Sequence, residues 1–317
     1  MTRVLVPDAR AIGAATTALE TRLQQLSAAQ VDAGLEAARQ AWRSAALAWQ
    51  RSFAFPHGPY VETRALLRAA YWPVRPDAVE QLLRGSEPID PARVAQLGVN
   101  VKGLYAIESL LFENDASGTA WLLGPLRARA IALLQACAAD VRSYAEHANA
   151  ALGDGSKFAR ELAGTGQAGI DRLLNGLLET VETAVIRIER VLVMTSPTGR
   201  GGRAPYVPQG GPSGTSTRLL QTWLEVCERV YGPAAKPSLG SLVAAVAPAI
   251  HQHATSSFAA ARAALESLGQ PIESAVQSAR PQLTAAQDSL RQLEVVLRSE
   301  LASALGVTIT FTSHDGD

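Results

Sequence analysis

A surplus of charge is the first thing this 317-residue chain lacks: 29 Lys and Arg balance 29 Asp and Glu. With no net field to steer association, nothing points to nucleic acid or an anionic membrane as a partner. Cysteine is equally scarce. Cys137 and Cys227 stand far apart and form no CxxC metal pattern, so two buried thiols and one long-range disulfide both stay open. No stretch reaches the roughly 18 apolar residues of a transmembrane helix. The opening Met1-Thr2-Arg3-Val4-Leu5-Val6-Pro7-Asp8 has no apolar core long enough for a signal peptide. That leaves a cytosolic protein or the trimmed form of an exported one. HExxH, GxSxG, a P-loop and a strand-borne GxGxxG are all missing, which removes the commonest motif-marked chemistries.

What the chain has in abundance is alanine, about 18% of its residues, against 5% aromatics and 18% charged residues. Alanine has the best helix propensity, and its small side chain lets helices approach closely. This composition excludes a collagen, a disulfide scaffold, a coiled-coil rod and a disordered chain. The fold class it predicts is all-α.

Apolar spacing divides the chain into helices. Ile12, Ala15, Leu19, Leu23 and Leu26 lie three or four apart and lay one stripe along a helix over 9–26. Leu35, Ala38, Trp42, Ala45 and Trp49 do the same over 31–53, until Pro56-His57-Gly58-Pro59 stops the helix. Four prolines between Tyr71 and Pro91 predict short helices and loops. Helices are expected from Val99 or Val101 to Phe112, over 119–147 with a break at Gly124-Pro125, and over 170–194. Residues 196–216 hold six glycines and four prolines with no apolar period, and read as a long exposed loop. Helices follow over 217–231, 239–268 and 281–305, and alternating Val307-Thr308-Ile309-Thr310-Phe311 reads as extended. The natural division is two helical bundles, 1–155 and 156–317, the second carrying the long loop.

The most informative segment is Gly103-Leu104-Tyr105-Ala106-Ile107-Glu108. Tyr105 and Glu108, three apart, project from one helical face and can share a partner. A phenol and a carboxylate suit a hard ion such as ferric iron, a hydrogen-bonded polar ligand, or each other inside a bundle. A protonated phenol is a poor ligand for divalent ions. His251 and His253, two apart, point to different sides of a helix, so they share no metal and read as exposed or capping side chains. Arg51 and Arg64 flank the Pro-Gly turn and could bind an anion, although ion-paired bundle arginines are commoner.

Gly103-x-x-Ala106-Ile107-Glu108-x-Leu110-Leu111 resembles the motif of the imelysin family, insulin-cleaving membrane protease-like proteins of peptidase group M75, whose pattern is Gly-x-His-x-x-Glu. Ser213-Gly214-Thr215-Ser216, running through Val230-Tyr231 into Gly232, is similar to that family's Ser-x-x-Ser loop and the helix after it. Leu305-Gly306-Val307 with Phe311 and Asp315-Gly316-Asp317 resembles its ending, and Trp42, Phe53 and Gly58-Pro59 its early helix and turn. The resemblance implies two helical-bundle lobes with a ligand site between them. It also implies a bacterial envelope protein, periplasmic or lipid-anchored, associated with iron uptake and its envelope components. The departure is Tyr105, which stands where the family has histidine. A Tyr–Glu pair suits a transition metal much less than a His–Glu pair.

The expected function is therefore a non-enzymatic binding protein for a small ligand or metal ion. Its site residues are Gly103, Tyr105, Glu108, His57, Arg51, Ser216 and Asp315, with Glu108 partly buried on Tyr105's face as the one metal ligand to consider. No cofactor is required, and iron or another metal would bind weakly at most. The alternatives are an M75-type metallopeptidase, which needs about three protein ligands, and a purely structural or adaptor bundle.

Overall fold

The computed structural model describes residues 2–29, 31–53, 64–112, 120–152, 166–194, 206–233 and 235–310, and among them there is no strand. In chain order the helices are α1 Thr2–Gln24, α2 Val31–Phe53, α3 Ala65–Ala69, α4 Pro76–Arg84, α5 Pro91–Gln96, α6 Leu104–Phe112, α7 Ala120–Leu123 and α8 Arg127–Ala151. Then come α9 Gly166–Met194, α10 Ser216–Tyr231, α11 Leu239–Val246, α12 Pro248–Ser267, α13 Ile272–Ser278, α14 Arg280–Val295 and α15 Ala302–Leu305. A 3-10 turn, Val99–Val101, precedes α6, and a π-helical stretch, Val296–Leu301, links α14 to α15. Two compact units result, one built on α1–α8 and the other on α9–α15.

In the first unit α8 is the central strut. It packs along α1 through the stripe that spacing marks out, with Ile12, Leu19 and Leu23 fully buried. Polar side chains of α8 then close the ends of its neighbours. Gln135 donates to the Leu23 carbonyl in the last turn of α1 and to the Leu26 carbonyl just past it. Arg129 donates to those of Leu82, Leu83 and Glu87 at the end of α4. These are the carbonyls a helix leaves without internal donors. Beneath α6, Lys102 and Asp140 form a buried ion pair at 3.0 Å, and Lys102 also donates to the Ala95 carbonyl.

In the second unit α9 packs against α14 and α10, and α12 against α14. The chain after α15, over 307–310, is neither helix nor strand, and it pairs with a side chain. Asn175 of α9 donates to the Thr308 carbonyl and accepts from the Thr310 amide and hydroxyl. One amide side chain thus supplies the donor and acceptor of a missing neighbour strand.

Three expectations need correction. The helix predicted over 239–268 is broken at Ala247, which lies at φ −150° because Pro248 drives the preceding residue out of the helical region. A short helix, α13, was not predicted. The exposed loop of 196–216 is only partly so. Its stretch 196–205 lies outside the described residues, but Gln209, Ser213 and Thr215 are buried. Here Gly210, at φ +79°, lets Thr215 N–H close onto its own carbonyl at 2.8 Å, and Gln209 bonds to Arg187 of α9.

Both cysteines are free and buried, Cys137 in the first unit and Cys227 in the second. Burial pushes each thiol up to about 12. At pH 8 a disulfide reagent should therefore leave the native protein untouched and titrate both thiols only after denaturation. An unfolded thiol loses its proton near 9 while the native one keeps it, so the thiols' stabilising contribution should fade as pH rises from about 9 to 12. The ion pair gives a second expectation. Asp140→Ala, which strands Lys102, should cost about 3–5 kcal/mol in urea unfolding, and Lys102→Met with Asp140→Leu should recover most of that loss.

Candidate functional site

Every residue of α6 is buried, from Leu104 to Phe112. A helix without a solvent face must find all its polar partners inside the protein, and α2 supplies several. Trp42, Trp49 and Gln50 sit seven and eight apart on one face of α2. Trp42 Nε1 donates to the Leu104 carbonyl at 2.6 Å, and Arg39 Nε to the Leu111 carbonyl at 2.8 Å. The guanidinium of Arg43 lies 4.9 Å over the Phe112 ring.

The start of α6 depends on Gly103. Its φ of +81° is a left-handed conformation, and a Cβ there would stand 2.6 Å from the Ala69 carbonyl oxygen. Only glycine lets the two backbones come this close without strain.

Tyr105 is completely enclosed. The rings of Trp42 and Trp72 meet it edge to face, with centroids 6.1 and 5.5 Å away. Gln50 Nε2 donates to its hydroxyl oxygen at 2.7 Å. Glu108, one turn on, is also fully buried, where partial exposure was expected. The reason is that α6 is covered on every side, so no position on it reaches water. Gln50 was missed by sequence reasoning. The signal was a polar residue eight places after Trp42, inside an otherwise apolar stripe.

The other predicted residues separate. Arg51 ends up 3.9 Å from Asp8 on α1, with its side chain 38% exposed, so it is an ordinary ion-paired bundle arginine of small energetic weight. Arg64 stands exposed before α3. His57 and Asp315 lie outside the described residues. Ser216 belongs to the second unit, as the first residue of α10. Its hydroxyl donates to Glu273 at 2.5 Å and accepts from the Ile272 amide at 3.1 Å, while Thr217 donates to the Gln270 carbonyl. Burial holds the Glu273 carboxyl above its usual range. The Ser213–Thr217 hydroxyls therefore act as joints between loop, α10 and α13.

A metal fits the described part of this site poorly. The available donors at α6 are one carboxylate and one phenol already bonded to an amide and wedged between two indoles. Among the described residues no three His, Cys, Asp or Glu side chains gather around a possible ion position.

Comparison with known proteins adds a lineage to this geometry. The family model for imelysin, peptidase group M75, matches residues 5–297. A curated relative, the iron-regulated protein A of Synechococcus elongatus, is 33% identical over 110 residues, 35% of this chain and 29% of its own length. This chain therefore aligns with less than a third of that relative. Two solved structures share the fold at 17% identity. An iron-regulated protein A precursor from Parabacteroides distasonis superimposes with a TM-score of 0.78, over 95% of this chain and 92% of its own. An imelysin-like protein from Psychrobacter arcticum gives 0.77, over 98% and 94%.

Two substitutions test the enclosure. Tyr105→Phe keeps the ring packing but removes the hydroxyl that accepts from Gln50, and should lower unfolding stability by about 1 kcal/mol. Gly103→Ala adds left-handed strain to a backbone overlap, and should cost about 3 kcal/mol in the same assay.

Proposed function

Since this chain belongs to the imelysin family of peptidase group M75, we propose that it is a binding protein of the bacterial envelope, linked to iron uptake and without peptidase chemistry of its own. The observation that carries this reading is the 2.7 Å bond from Gln50 to the Tyr105 hydroxyl. It occupies the position where the family pattern places an imidazole. A histidine there would offer a lone pair to a metal at neutral pH. A phenol accepting from an amide offers a hydrogen-bonding group instead, beside the carboxylate of Glu108.

Gly103, Tyr105 and Glu108 would then meet a small polar ligand by hydrogen bonds only when the packing around the buried α6 opens, with Glu108 the one residue able to contribute to a metal. Iron or another metal would bind weakly at most. Location in the periplasm or on a lipid anchor belongs to the proposal. What supports it is the family and the iron-regulated naming of its relatives; no described helix is long and apolar enough to cross a membrane. The metallopeptidase alternative needs about three protein ligands and a metal-bound water, more than the described residues around Glu108 provide.

Calorimetric titration with zinc tests the assignment. Wild type should take up no stoichiometric zinc. Tyr105→His should raise zinc affinity at least about tenfold, since imidazole is much the better ligand, and adding Glu108→Ala should remove that gain. Stoichiometric zinc in the wild type, unaffected by Glu108→Ala, would mean that the metal site lies elsewhere.

A further inference from the structure

We draw no further inference here: the strongest candidate, the apolar surface patch that Leu242 and Val246 expose on α11 of the second unit, carries nothing, since no feature of the structure shows what covers it.

Discussion

The first unit depends on one constraint: α6 has no solvent-facing side. Nine consecutive buried residues, two of them Tyr and Glu, need internal partners for every polar group. The surroundings follow from that requirement. Trp42 and Arg39 donate to carbonyls at the two ends of α6, Gln50 meets the phenol, and Gly103 removes the side chain that would hold α6 away from Ala69. The buried Lys102–Asp140 pair fixes the residue immediately before the turn to α8. An ion pair in this setting is weak evidence for net stability, because desolvation offsets much of the Coulomb attraction. Its effect is on register: a Lys102 that must reach both Asp140 and the Ala95 carbonyl leaves the Gly103 turn one place to sit.

The second unit handles polar groups differently. Its hydroxyls and amides gather where helices begin or end. Ser216 and Thr217 join α10 to the start of α13, Gln209 meets Arg187, and Asn175 holds the final segment over 307–310. Arg187 also lies 4.4 Å over Trp223, so one guanidinium binds the packed half of the glycine-rich loop to the face of α10.

Most of the fold was legible because apolar period survives burial. Ile12, Leu19 and Leu23 announce α1, and Trp42 and Trp49 announce α2, since each helix buries a single face. The same logic places a helix ending at Phe112 but not its complete burial, because α6 has no polar face to contrast. There Tyr105 and Glu108 drew attention through their spacing and the motif, and Gln50 stayed hidden because a lone amide in an apolar stripe looks like noise. Loop 206–215 was misjudged for a related reason: glycine and proline content signals turns, not exposure, and tight turns can be packed. The contacts of Glu228 with Arg262 and of Tyr231 with His251 were invisible because they form only when α10 and α12 pack.

Family and geometry therefore point in slightly different directions. Membership places the chain among imelysins, whereas Tyr105, held by Gln50 between Trp42 and Trp72, gives this member a hydrogen-bonding group at the pattern's histidine position. The central claim is that this phenol keeps its amide partner and does not ligate metal. Adding ferric iron while recording the visible spectrum tests it most directly, because a tyrosinate bound to ferric iron produces a charge-transfer band. The account predicts no such band in the wild type. A band that appears on titration and vanishes in Tyr105→Phe would contradict it.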